Sequence, residues 1–276
     1  MKIALMYDFD KTLSYKDMQE YGFFNDLGYD DAKTFWQGVD ERSHLQKMDH
    51  ILTYLYEMVH QCKARNLPLT KSRLAGYGKQ IEFYPGVTSW FELMNEEADQ
   101  RGIQLEHYII SSGLKEIIDQ TPISKYFKKI YACEYLYDEN DEAVWPKLSV
   151  NYTMKTQFIF RINKGILEID NDEDLNKHQD EATKPISFRN MIYIGDGFTD
   201  VPSMKLVKSN GGHAIAVSAP GHKDSEVTQS LLKDHRVDFV AEADYTEGKR
   251  LHVLICSIFD TLVAQKNLEA LKDESY

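Results

Sequence analysis

Asp8-Phe9-Asp10-Lys11-Thr12 follows directly on the apolar run Ile3-Ala4-Leu5-Met6-Tyr7, and this junction decides how the chain is read. A short continuous apolar run that stops at an acid predicts a strand buried on both faces, the kind found in parallel sheets. Ligand sites of such sheets lie at the carboxyl ends of the strands, where these two aspartates fall. At i and i+2 on extended backbone, Asp8 and Asp10 point the same way. Crowding two carboxylates raises the cost of ionising both. That cost is useful where a cation neutralises one acid and the other moves a proton. The same pair also suits a solvated acidic loop at a strand end.

Outward from this junction the pattern turns helical. Between Ser43 and Arg65, Leu45, Met48, Leu52, Leu55, Val59 and Cys62 step by threes and fours, predicting one long amphipathic helix. Tyr84-Pro85-Gly86 is turn chemistry. A helix from Val87 to Ala98 follows, then a strand over 105–110. A second strand over 130–133 leads into a Tyr-rich hairpin, and a helix runs from Met154 to Asn163. Residues 168–182 hold seven carboxylates and read as an exposed insertion or loop. Strands at 191–194, 214–217 and 239–240 precede a C-terminal helix striped by Leu251, Leu254, Ile255, Ile258 and Leu262. Strands alternating with helices imply a mostly parallel α/β sheet. The helical stretch interrupts that alternation, so residues 14–84 read as a helical subdomain inserted between 1–13 and 85–276.

Two further turns sit where strands end. Gly195-Asp196-Gly197-Phe198-Thr199-Asp200 follows the apolar Met191 to Ile194. Its glycines permit a tight turn and close approach, and Asp196 and Asp200 are hard oxygen donors of the type that magnesium takes. Asp200 alternatively caps or charges the first turn of a helix. Ser111-Ser112-Gly113 closes the 105–110 strand and opens a helix, offering a hydroxyl and amides to a phosphate, or simply an N-cap. Lys155 opens the 154–163 helix and Lys164 closes it.

Taken in order, these motifs resemble the haloacid dehalogenase-like (HAD) hydrolase superfamily, in its phosphoserine-phosphatase-like branch with an α-helical cap. Asp8 to Thr12 match the first motif, Asp-x-Asp-x-Thr; Ser111 matches the second and Gly195 to Asp200 the fourth. The resemblance implies a Rossmann-like doubly wound parallel sheet with residues 14–84 as the cap. It implies a nucleophile in Asp8 and a general acid/base in Asp10, whose presence argues against the dehalogenase branch. It implies Mg2+ on Asp8, Asp10, Asp196 and Asp200, with Ser111, Ser112, Gly113 and Lys155 on the substrate phosphate. For the motif lysine, Lys164 stands behind Lys155 and Lys184 further behind. The implied activity is hydrolysis of a small phosphorylated metabolite through an aspartyl phosphate. A phosphomutase or phosphotransferase shares that intermediate, and a receiver-like regulatory protein shares the acid cluster.

Within the helical stretch, Lys16, Glu20, Arg42, His44 and Lys47 are polar residues best read as solvated faces. Tyr21, Phe23, Phe24, Phe35 and Trp36 read as subdomain core.

Composition bounds the rest. The 276 residues carry 32 Lys+Arg against 44 Asp+Glu, a formal charge of −12. That balance disfavours nucleic-acid and anionic membrane partners, which need clustered cations. No apolar run approaches the roughly 20 residues that span a bilayer, and the N-terminus does not read as a signal peptide. Cys62, Cys133 and Cys256 are odd in number and far apart, without metal-type spacing, as expected of reduced thiols in a cytoplasmic protein. The oligomeric state is not readable.

Overall fold

The computed structural model describes residues 1–222 and 225–273. The expected core span therefore includes residues 223–224 and 274–276 that lie outside the described ones. Seven strands form one sheet: β1 (Lys2–Tyr7), β2 (Gln104–Leu114), β3 (Phe127–Tyr137), β4 (Ala143–Leu148), β5 (Met191–Gly195), β6 (His213–Ser218) and β7 (Phe239–Glu242), in the order β4-β3-β2-β1-β5-β6-β7. All neighbours run parallel except β3 and β4, which form an antiparallel hairpin. The apolar run at 3–7 is the central strand, and its residues are fully buried, as a strand covered on both faces must be.

Helices cover both faces, as a doubly wound sheet requires. On one side lies α5 (Val87–Gln100), after the helical stretch formed by α1 (Phe23–Asp26), α2 (Ala32–Gln46), α3 (His50–Ala64) and α4 (Lys71–Tyr77). The Trp90 indole N–H of α5 donates to the Tyr7 hydroxyl at 2.9 Å. Past β2 and the four-residue α6 (Lys115–Ile118) come α7 (Met154–Lys164), the short α8 (Asp172–Asn176), α9 (Val201–Ser209), α10 (Glu226–Lys233) and α11 (Arg250–Asp273). Arg101, next to α5, pairs with Asp260 of α11 at 2.6 Å, so these two helices share a face. On the other face Phe158 of α7 stacks on Tyr131 of β3, and α9 packs against α7 and β5.

The helical stretch leaves and rejoins the sheet layer through one paired crossing. Ser14 and Phe83 form an isolated antiparallel bridge, Tyr15 N–H donates to Glu82 O and Tyr84 N–H to Leu13 O. The single helix expected over 43–65 is two. Lys47 takes the left-handed conformation at φ 52, and Asp49 starts α3 by accepting from Leu52 N–H. Leu45, counted in the stripe, is exposed as a result. The apolar steps survive the break because a three-residue interruption shifts a helical pattern by less than one turn.

One other expectation changes. Strand β2 runs to Leu114, so Ser111, Ser112 and Gly113 lie within it rather than at a helix start; the pairing of Leu114 with Cys133 holds the extension. The acidic stretch 168–182 is exposed as expected, and it is anchored at its start. The buried Arg161 guanidinium donates to the carbonyls of Glu168 at 2.6 Å and Ile169 at 2.9 Å, and Asn171 caps α8.

Candidate functional site

The site is built at the carboxyl end of β1. After Tyr7 the chain folds into a tight turn in which the amides of Thr12, Leu13 and Ser14 all point at Phe9 O. Lys11 sits at φ 55. This turn presents Asp8 and Asp10 to a cavity of about 380 Å³, while Phe9 between them is buried.

Asp8 Oδ1 accepts from Phe9 N–H at 2.8 Å and from Lys155 Nζ at 3.1 Å. The same ammonium lies 2.7 Å from Asp200 Oδ1, which also accepts from the Tyr193 hydroxyl at 2.7 Å. Lys155 and Asp200 are fully buried. Burial raises the Asp8 carboxyl to about 6, Asp200 adds to the rise and Lys155 opposes it. Burial, then Asp200 and Asp8, raise Asp196 well above the usual carboxylate range. For Lys155 burial acts to lower the pKa, but Asp200 and Asp8 together outweigh it and push the ammonium up. The lysine is therefore charged, locked between two acids.

Asp10 faces another partner. Its Oδ1 accepts from Met18 N–H at 2.9 Å, and burial followed by the charges of Asp17 and Asp8 lifts it well above its ordinary value. A carboxyl raised in this way keeps a proton to higher pH than a free one and is better placed to donate it.

Asp8, Asp196 and Asp200 each bring a carboxylate oxygen within 4.8 Å of the other two. Asp200 Oδ2 is buried and has no hydrogen-bond partner among the described residues. An all-oxygen donor set with one orphaned buried carboxylate oxygen fits a hard divalent cation such as Mg2+. Gly195 makes this possible: a Cβ there would lie 2.4 Å from Asp200 Oδ2. Gly197 differs. Its φ of −151 is ordinary extended backbone and its missing Cβ would meet nothing within 4 Å, so the tight-turn argument does not apply to it. Asp200 is the N-cap residue of α9 but makes no side-chain cap there; its Oδ1 faces Lys155 and Tyr193 instead.

Ser111 and Ser112 line the cavity. Ser111 Oγ accepts from Gly113 N–H at 3.0 Å, so that amide is already engaged. Gly113 is pressed against Met18, whose Cε would be 2.1 Å from an added Cβ. Lys164 donates instead to the carbonyls of Leu175 and Lys177, and Lys184 pairs with Glu181; of the three lysines, Lys155 is the one at the acids.

Several residues at the cavity carry no motif signal. Tyr54 donates to Ser112 O at 2.6 Å, joining α3 to β2. Gln19, Trp36, His50, Ile51, Tyr152 and Thr199 also line the space. Phe23, Phe24 and Phe35 are buried, as expected of core, but Trp36 borders the cavity as well. Lys16, Glu20, Arg42, His44 and Lys47 do not line it; Glu20 caps Asp17 N–H and Arg42 pairs with Glu57.

His252 and Cys256, four apart on α11, make a Cys/His pair to which the fold adds Glu97 of α5. Glu97, His252 and Cys256 approach one another at the α5–α11 contact. Gly248 N–H donates to His252 Nδ1 at 3.2 Å, which puts the ring proton on Nε2, the nitrogen nearest Glu97 and Cys256. In this tautomer Nε2 is a donor rather than a metal ligand.

The fold is shared with solved structures. A HAD-family hydrolase from Salmonella enterica serovar Typhi superposes with a TM-score of 0.56 at 16% identity, over 92% of this chain and 70% of that one. A phospho-aspartyl intermediate analogue of phosphoserine phosphatase gives 0.53 at 14% identity, over 92% and 97%. This chain has the haloacid dehalogenase-like fold, in its phosphoserine-phosphatase-like form. An uncharacterized protein of Borreliella burgdorferi (strain B31) is 30% identical over 280 residues, covering 91% of this chain and 94% of that protein, and the two belong to one family. No family model matches the chain. Among the described residues, no helix is long and apolar enough to cross a membrane.

Proposed function

We propose that this HAD-like chain is a phosphoric monoester hydrolase, a divalent-metal-dependent phosphatase acting on a small phosphorylated metabolite in the cytoplasm. The observation that carries the reading is the buried Lys155 ammonium between Asp8 and Asp200, beside the oxygen cluster of Asp8, Asp196 and Asp200. Phosphoserine, after which several structural neighbours are named, is one candidate ester.

Asp8 is the nucleophile. Its Oδ1 is held by Phe9 N–H and Lys155, which leaves Oδ2 to attack phosphorus. The alkoxide departs and takes a proton from Asp10, whose raised pKa keeps that proton available. Asp10 then removes a proton from water, which attacks the aspartyl phosphate to release phosphate and regenerate Asp8. Asp8, Asp196 and Asp200 are the residues that would hold Mg2+, with Asp10 contributing. Bound there, the ion offsets charge so that an anionic nucleophile meets an anionic ester. Ser111, Ser112 and Lys155 orient the phosphoryl oxygens. The helical stretch 14–84 acts as a cap that excludes water from the acids.

Hydrolysis of a chromogenic phosphate ester with and without Mg2+, beside Asp8→Asn, tests the reading. Metal-dependent turnover is expected, with a loss of roughly a thousandfold or more in the variant. Turnover undiminished in the variant, or none by the wild type across a broad phosphate panel, overturns it. Product analysis with an added acceptor alcohol separates hydrolysis from phosphotransfer.

A further inference from the structure

The cavity's outer wall, taken together with the phosphatase reading on which this step rests, specifies the alcohol that leaves. Beyond the acids the space is bounded by Trp36, His50, Ile51, Tyr54 and Tyr152. The Trp36 and His50 rings are stacked at 6.3 Å and 17°, and Trp36 meets Tyr54 edge to face at 5.8 Å. The wall therefore offers π-faces, one aliphatic side chain and neutral polar groups such as Gln19 and the Trp36 indole N–H.

Among the described residues it offers no free cation. Lys11 is the only lysine or arginine among the lining residues, and its Nζ is held by Asp17 Oδ2 at 2.8 Å. His50 Nε2 faces Asp40 Oδ1 at 2.9 Å. Behind the wall, Arg42 is taken up by Glu57 and lies over the Tyr56 ring. Asp8, Asp10, Asp17 and Asp196 border the same space. A substrate carrying a carboxylate besides its phosphate would bring that carboxylate among four acids with no unpaired cation among the described residues to meet it, leaving it only neutral partners such as Gln19 and the Trp36 indole N–H, which has no partner among the described residues. An alkylammonium is drawn by the same surroundings, since carboxylates and aromatic faces both attract it.

We propose that the substrate is the phosphate monoester of an amino alcohol bearing an ammonium and no carboxylate, its cationic end seated against Trp36 and Tyr54. A matched set of esters tests this. Phosphoethanolamine and phosphoserine differ by one carboxylate, phosphocholine adds methyl groups to the ammonium, and propyl phosphate is neutral at the same end. With Mg2+ present, kcat/KM for phosphoethanolamine or phosphocholine is expected to exceed that for phosphoserine and for propyl phosphate by about tenfold or more. Trp36→Ala is expected to erase most of the advantage over propyl phosphate and Trp36→Phe to retain part of it, with the circular dichroism spectrum showing that each variant is folded. Equal or better turnover of phosphoserine overturns the inference, as does an ammonium ester no better than propyl phosphate. Turnover of the chromogenic ester alone overturns the inference and leaves the phosphatase reading standing. Failure of every ester removes both.

Discussion

The two sides of the cavity are built by different means. The floor is a charged network without slack: Lys155 and Asp200 are fully buried, Tyr193 braces Asp200, and a missing Cβ at Gly195 admits its carboxylate. The roof is an aromatic assembly joined to the floor by polar ties that include the Tyr54 bond to Ser112 O and the Tyr135 bond to Leu55 O. Buried charge must be satisfied atom by atom, so it fixes geometry and suits an unchanging chemical step. Apolar packing tolerates substitution of similar volume, so a roof of this kind can change its substrate without disturbing the floor.

The sharpest way to break this contrast is Lys155→Met. It leaves two buried acids without their cation, and a destabilisation of about 3–5 kcal/mol is expected together with loss of activity. Denaturant unfolding measures it, and Mg2+ should recover part of the stability. A cost below about 1 kcal/mol would show that the floor is not a network. Gly195→Ala comes next. Its Cβ displaces the Asp200 carboxylate, so Mg2+ affinity by titration calorimetry should fall about tenfold or more, a change of about 1.4 kcal/mol.

The third test uses pH. Folding raises the Asp8 carboxyl from its ordinary 3.8 to about 6, so between these values the folded chain binds more protons than the unfolded one. Without metal its contribution therefore lowers stability as pH rises through that window, and the raised Asp10 and Asp196 act in the same direction. Lys155, raised from an already high value, stays charged throughout and adds no slope there. A divalent cation favours the ionised acids, so the rise in Tm on adding Mg2+ should be small near pH 5 and large near pH 8. A constant increment across that range would separate the metal from these acids. The smallest effect belongs to the roof: Tyr54→Phe removes one hydrogen bond, about 1 kcal/mol by thermal unfolding, with a severalfold change in KM and little in kcat. A larger loss in kcat than in KM would place Tyr54 with the floor.

Legibility in the sequence divides along the same line. Asp8, Asp10, Asp196 and Asp200 stand out because each follows an apolar strand, and strand ends are where a parallel sheet opens. Lys155 was nameable only through family resemblance, since a lysine opening a helix carries no signal of its own. Trp36, Tyr54 and His50 carry no readable pattern, because an aromatic residue in a helical stretch fits a core as well as a cavity wall, and Tyr152 lies in the turn before α7. The break at Lys47 escaped periodicity because the apolar spacing continues across it.

By itself, then, the chain's linear order determined the buried central strand, the α/β alternation with its helical interruption, and the acids at strand ends, since these follow from local burial and periodicity. Tertiary structure alone decided which lysine meets which acid, that β2 continues through Ser111 to Leu114, that Gly195 rather than Gly197 is sterically required, and which aromatics face the cavity. Those are contacts between residues from 5 to more than 100 positions apart, and their distances are set by packing rather than by sequence spacing.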